Sequence, residues 1–547
     1  MSNRPNAPEQ PVAQAAFIPD PPTERLNTKA AGIIGVAVMC SRVLGLLREQ
    51  VFAALFGGGA AMDAFTAAFR IPNILRDLFA EGALSTAFVT TFSKTIVRGG
   101  DEAAWRLANK VATMTSVVLG LICVAGVLLS GPLVSLFAWG FDPAKAELTV
   151  HLTRIMFPFI LLVSLAALAM GILNAKSVFG MPAMASSFFN IGSIVGGVVL
   201  GYWLDPHFGW RSLTGLAIGT VIGGALQLMV QMPSLRRAGY RYRPDFQWRD
   251  PGVRAILLLM GPAVIAGGTT QVNVLANSMF ASVLGNGAIF DLSIAFRLMQ
   301  LPLGLIGVAL GTVTLPLLSR LVANGQTEGF RAELARAMRI AMLLTLPAAV
   351  GLMMLAEPIM SVLYQHAKFT AVDAAQAAAA LRFYAIGLAG YAALKVLVNA
   401  FYALDRRKTP MMVSLLAVGL NLLFNWIFTF RLGWGTRGLA FSTGLIATCN
   451  FLLLYALMRS HLKGLETRRM ISTLAKVAVA CLGLIAVCAA SMHWMLADWA
   501  TMPFWRKFGG LMLTIAVAVT VFALAGLALK IPEMQEISGA IRRRLKR

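Results

Sequence analysis

The chain has 547 residues, of which 58% are hydrophobic and only 13% charged, with a formal net charge of +23. Soluble domains carry about 25% charged residues, so this composition excludes an ordinary globular protein and describes an all-α polytopic membrane protein. The basic excess would suit nucleic acid, but no basic run is interleaved with aromatics for base stacking, and nucleic acid is excluded as a partner.

Residues 1–28, rich in Pro, Asn, Gln and Ala without periodicity, read as a disordered cytoplasmic tail. The apolar run after Lys29 lacks a cleavage site and carries arginines, so it is expected to be a retained helix and not a signal peptide. A bilayer core about 30 Å thick needs roughly 20 apolar residues per helix. Runs of that kind fall at 30–56, 64–92, 107–139, 148–174, 181–204, 213–235, 255–283, 291–319, 338–363, 377–404, 410–430, 438–458, 471–492 and 508–530, which makes fourteen.

The first two of these runs carry Arg42, Arg48, Glu49, Arg70, Arg76, Asp77 and Glu81. A charge near the bilayer centre costs about 2.5–3.5 kcal/mol on insertion scales, so such a cluster has to face protein or water. At about 100° per residue, Arg70, Asp77 and Glu81 share one face, with Arg76 to the side, and Pro72 frees a backbone carbonyl beside them. Mutual neutralisation is the plain alternative, but arginines outnumber the acids that could pair with them.

Lys and Arg number 32 on the odd connections and the two tails and 7 on the alternate ones, which places both termini in the cytoplasm. Eight cations remain inside helices: Arg42, Arg48, Arg70, Arg76, Arg154, Arg297, Arg382 and Lys395. Their placement repeats. Ala68-Phe69-Arg70 recurs as Ala295-Phe296-Arg297, Arg154 pairs with Arg382, Pro182 with Pro410, and Pro132-Leu133-Val134-Ser135 with Pro358-Ile359-Met360-Ser361, all at an offset close to 227. The offset spans an even number of helices and predicts two pseudo-symmetric six-helix bundles of the same orientation, plus two extra C-terminal helices. The expected divisions are a lobe at 29–236, a basic cytoplasmic linker at 237–254, a second lobe at 255–460, helices 13 and 14 at 461–530, and a basic cytoplasmic tail at 531–547.

Gly215-Gly219-Gly223 and Gly192-Gly196 are small-residue faces suited to close helix packing. Five single cysteines and five scattered histidines offer no ligand spacing, and no firm metal site is expected. Asn421 and Asn425 with Thr443 offer neutral oxygens to sodium, though no carboxylate accompanies them. Cations facing the junction of two bundles make a positive chamber near the midplane, and arginine forks grip phosphate oxygens bidentately, so an anionic solute is expected.

Ser41-Arg42-Val43-Leu44-Gly45, Arg48-Glu49, Asp63-Ala64-Phe65, Phe69-Arg70-Ile71-Pro72-Asn73, Leu75-Arg76-Asp77 and Phe79-Ala80-Glu81-Gly82-Ala83 resemble the signature of the bacterial lipid II flippases, MurJ or MviN. Gly223-Gly224-Ala225-Leu226-Gln227-Leu228, Leu301-Pro302-Leu303-Gly304 and Phe401-Tyr402-Ala403 before Lys408-Thr409-Pro410 match too. The resemblance implies an inner-membrane transporter, not an enzyme. It would move undecaprenyl-pyrophosphate-linked disaccharide-pentapeptide to the periplasmic leaflet by alternating access, for peptidoglycan synthesis. It implies places in or near the cavity for Arg42, Arg48, Asp63, Arg70, Arg76, Glu81 and Arg297; substrate contacts are expected of these five arginines, gating pairs of Glu49, Asp63, Asp77 and Glu81, and, from their position inside helices, secondary cavity cations at Arg154, Arg382 and Lys395. Two departures stand out. The family commonly has a shorter acid at Glu49 and a second Arg at Asp77, which leaves this chamber less positive. No cofactor is implied; coupling to membrane potential, protons or sodium is open, and membrane lipids and the cell-wall synthesis machinery are the expected partners. Another polyprenyl-pyrophosphate flippase, or a cation-coupled multidrug exporter of the same superfamily, is the alternative.

Overall fold

The computed structural model describes residues 28–78 and 84–545. The tail expected at 1–28 (Thr28 apart) and Glu81 lie outside them. Every regular element among the described residues is helical. The first half runs α1 (Thr28–Phe56), α2 (Ala60–Arg76), α3 (Ser85–Leu128), α4 (Ser130–Phe137), α5 (Pro143–Met156), α6 (Phe159–Ala175), α7 (Gly180–Leu204), α8 (Ser212–Met229) and α9 (Met232–Arg237). The second half runs α10 (Pro251–Ser282), α11 (Ala288–Ala323), α12 (Thr327–Met354), α13 (Ala356–Tyr364), α14 (Ala371–Ile386), α15 (Leu388–Ala403), α16 (Lys408–Trp426) and α17 (Thr436–His461). It is followed by α18 (Thr467–Trp494), α19 (Phe504–Ala528) and the short α20 (Pro532–Leu545).

Ten helical runs among the described residues are long and apolar enough to cross a membrane, or eleven if α14 and α15, bent by 43° at Gly387, form one span. The fourteen expected from the sequence are not confirmed by that count. Two boundaries also move. The run expected at 107–139 belongs to α3, which passes through a kink at Gly100, and then to α4. The helix predicted at 64–92 leaves α geometry at Asp77, and Glu81, expected on the face of Arg70, lies outside the described residues.

Helix starts follow from local chemistry. Asp142 caps α5 by accepting from the Lys145 backbone N–H, with Pro143 next in line. Thr370 and Asp373 form a reciprocal capping box on α14. Asp250 opens α10 by accepting from Gly252 N at 2.8 Å, and its other oxygen takes the Lys110 ammonium at 2.7 Å, tying the linker to α3. Partial burial opposes ionisation there, yet the Lys110 and backbone bonds hold the Asp250 carboxyl below its ordinary range.

α1, α7 and α8 pack together, as do α2 with α5 and α3 with α6, while α11, α12, α14, α15 and α17 build the second group. α18 lies on α12 and carries α19. The glycines of α7 and α8 let two backbones touch: a Cβ at Gly219 would sit 2.2 Å from Gly197 N, and one at Gly215 2.3 Å from Gly201 N. Gly219→Val therefore forces these helices apart. We expect it to destabilise the folded protein by about 1–3 kcal/mol or more, read as a lower melting temperature in detergent, whereas Gly131→Val, in open space, leaves it unchanged.

Candidate functional site

The two halves meet along α1 and α2 on one side and α10 and α11 on the other. At mid-height α1 delivers Arg48 and Glu49, both 9% exposed. Arg297 of α11 reaches Glu49 Oε1 through Nη2 at 2.6 Å. Arg70 of α2 donates Nη1 to Ser278 Oγ at 3.1 Å and Nη2 to Ser293 Oγ at 3.4 Å, so its charge faces only hydroxyls across the junction. The Arg48 guanidinium stacks over Phe189 at 5.0 Å and Phe69 at 5.9 Å, and makes no ion pair among the described residues. Among the described residues, two of the three guanidiniums thus lack a carboxylate within contact distance. Arg48, Glu49, Arg70, Asn73 and Arg297 line a cavity of about 110 Å³. Arg70 also borders a second cavity of about 360 Å³ inside the second half, with Asn277, Gln300, Tyr384 and Tyr391 in its wall.

Arg42 is exposed on α1 and reaches across to α11, where a Cβ at Gly304 would lie 2.5 Å from its Nη1. Lys395 is exposed too, close enough for its charge to act on that of Arg42. Three other expected cations have different surroundings. Arg76, read as a substrate ligand, has its charge matched by its neighbour Asp77 at 2.7 Å, and Asp77 also accepts from Gln271 of α10 at 3.4 Å. Arg382, read as a chamber cation, is paired with Glu357 of α13 at 3.0 Å and donates to Met353 O. Arg154 is exposed and lines neither cavity.

The proposed sodium oxygens do come together, but as an amide network. Asn425 Nδ2 donates to Asn421 Oδ1 at 2.9 Å and to Asn277 Oδ1 at 2.8 Å, and Asn277 Nδ2 donates to Thr443 Oγ1 at 3.1 Å. The amide N–H groups thus occupy the oxygens of Asn421, Asn277 and Thr443, leaving Asn425 Oδ1 without a donor. No group of three His, Cys, Asp or Glu side chains suited to a metal ion occurs among the described residues.

Beyond the charged layer lies the end of the molecule where the connections are poor in Lys and Arg. Here Asp63, fully buried, accepts Lys145 Nζ at 2.8 Å, Gly287 N at 2.7 Å and Phe290 N at 2.9 Å. Lys145 Nζ reaches on to Asn286 Oδ1 at 3.1 Å. One carboxylate from α2 thus grips the first turn of α11, and the halves are latched shut at this end. Gly287 adopts φ +94, and a Cβ there would meet Gly58 O at 2.5 Å, so only glycine fits the seam. Trp139 Nε1 donating to Met279 O at 3.1 Å and Lys368 N to Ala54 O at 3.0 Å close the rest.

Sequence reasoning placed Lys145 in a loop, since a lone lysine in a helix-start motif gives no sign of burial. Ser278, Ser293 and Asn277 were missed because small polar residues in membrane helices carry no period of their own.

The family model described as "Lipid II flippase MurJ" matches residues 52–510. A protein of Vibrio cholerae described as a probable lipid II flippase MurJ is 36% identical over 488 residues, covering 87% of this chain and 90% of the relative. The lipid II flippase MurJ of Burkholderia cenocepacia is 35% identical over 467 residues, covering 83% and 89%. Among solved structures, a lipid II flippase MurJ in an inward closed conformation matches with a TM-score of 0.74 at 25% identity, over 94% of this chain and 99% of the other. An inward-facing multidrug transporter of the MATE family matches with a TM-score of 0.65 at 15% identity, over 79% and 98%, which speaks to the fold alone.

Proposed function

The chain belongs to the lipid II flippase MurJ family, and on that premise we propose how its own side chains handle the substrate. It is a lipid II flippase, a transporter and not an enzyme. Arg48, Arg70 and Arg297 hold the pyrophosphate, with Arg42 and Lys395 drawing it in from the charge-rich end. The supporting observation is that guanidiniums from both halves converge on one buried cavity, two of them with no carboxylate in contact. Arginine forks bind phosphate oxygens bidentately, so a diphosphate suits several at once.

The latch around Asp63 then lies on the periplasmic side of the inner membrane and both termini in the cytoplasm, an orientation that rests on the Lys and Arg asymmetry. The state described is closed toward the periplasm. Pockets for drug-sized molecules measure about 300–1,000 Å³. A disaccharide-pentapeptide exceeds that scale, so a cavity of about 360 Å³ does not admit it. The lobes at 29–236 and 255–460 therefore part at the cytoplasmic end to load the head, then rock to release it outside. The undecaprenyl tail stays in lipid, along the groove between α18 and α19. The periplasmic cell-wall synthesis machinery takes the product. Net charge crossing the membrane is worth about 2.3 kcal/mol per 100 mV, enough for the membrane potential to contribute.

Depleting the protein in its native cells should leave lipid II on the cytoplasmic leaflet, shielded from an impermeant probe applied to spheroplasts. An unchanged outer pool would sink the assignment.

A further inference from the structure

The closed latch contains a carboxyl that the flippase reading does not use. Asp291, on the first turn of α11, is 3% exposed, its Oδ1 has no hydrogen-bond donor, and none is found for its side chain among the described residues. It sits beside the latch itself: Gly287, whose N–H binds Asp63, would place a Cβ 3.7 Å from Asp291 Oδ2.

The charged groups facing Asp291 are Asp63 from α2, Lys145 from α5 behind Asp63, and Asp373 from α14. Lys145 is fully engaged: its ammonium contacts Asp63, Asn286 and the face of Phe141 at 4.0 Å. Asp63 has that cation and two backbone N–H groups, and so it is the anion of the pair. Two N–H groups at the start of α11, those of Gly287 and Phe290, are taken by it. Asp373 accepts the N–H and hydroxyl of Thr370 in its capping box. Asp291 alone has no positive charge and no donor. An ionised carboxylate left in that position is strongly disfavoured, and a proton removes the penalty.

We propose that Asp291 is a proton-binding site of the outer latch, taking up one proton from the periplasmic side when the halves close there and releasing it when they open. The proposal deepens the flippase reading by giving its outer gate a ligand, and it rests on that reading for its sidedness. Opening admits water to the first turn of α11, where a hydrated aspartate ionises at about pH 3.9. Closure strips that water away. By linkage, the ratio of open to closed molecules rises with pH, by up to about tenfold per pH unit where the closed form holds one proton more. Outside acidity then favours return to the inward state.

The test uses the full chain in liposomes without lipid II, with its cysteines replaced. Spin labels are placed at Ala144→Cys on α5 and Val372→Cys on α14, both exposed beside the latch. Distances across the outer end should lengthen as pH rises in the wild type. In Asp291→Asn, which mimics the protonated acid and should fold, they should stay short at every pH. Infrared spectra near neutral pH should show a protonated-carboxyl band that Asp291→Asn loses. A wild-type response retained in Asp291→Asn, or a band that survives the substitution, overturns the proposal. Because neither measurement involves substrate, a pH-sensitive latch in a protein that fails to move lipid II would leave the proton site standing and remove the flippase reading.

Discussion

Arg48→Met should reduce lipid II transport by at least about a hundredfold while leaving membrane insertion and thermal stability near those of the parent. Arg48 lies under two phenylalanine rings with no carboxylate partner among the described residues, so its charge is available to an incoming phosphate and its removal orphans no neighbouring ion. Losing one partner of a buried charge-assisted contact costs about 2–5 kcal/mol, which is the source of that factor. Arg382→Met is the control: its charge is matched by Glu357, away from both cavities, so transport should stay within a few-fold of the parent. Equal losses at both positions would mean that general positive potential matters and the cavity does not. The measurement is the rate at which labelled lipid II in proteoliposomes becomes accessible to an impermeant reagent.

The second large effect is expected at Asp63. Asp63→Ala strands the buried Lys145 ammonium and frees two N–H groups of α11, a change worth about 3–5 kcal/mol against the closed state. The halves should separate at the charge-poor end, seen as longer label distances there together with a lower melting temperature. Adding Lys145→Met should recover much of the loss, since the unpaired cation is then gone. If Asp63→Ala closes and melts like the parent, the latch has been misread.

What could be read from the sequence was what membrane physics makes conspicuous. Arg48, Arg70 and Arg297 stood out because a guanidinium in an apolar run needs an explanation, and the internal repeat matched Arg70 with Arg297 as cations of the two halves expected to face their junction. The same logic also marked Arg154 and Arg382, which line neither cavity. A repeat conserves position along the chain, but a turn of helix or a nearby Glu357 decides whether a cation reaches the junction. Asp63 was recognised as a gating residue, but its grip on Gly287 and Phe290 N–H is a backbone contact that side-chain patterns do not reveal. Asp291 was invisible for a related reason, since burial of an acid at a helix start depends on what the other half brings against it. The glycine faces of α7 and α8 were legible because close approach permits little else. The π-type departure at Asp77 was not, as no proline or glycine occupies that position.

The bond between Glu49 and Arg297 has a consequence for the empty carrier. In lipid II's absence, Glu49 supplies a surrogate anion, so the vacant protein can swing back without two like-charged walls repelling each other. Under the binding mode proposed above, an arriving diphosphate has to evict that tethered competitor, which makes loading an exchange of counterions. Shortening or neutralising this side chain should therefore tighten the grip on cargo while slowing its discharge, a trade between affinity and turnover set by a single carboxylate.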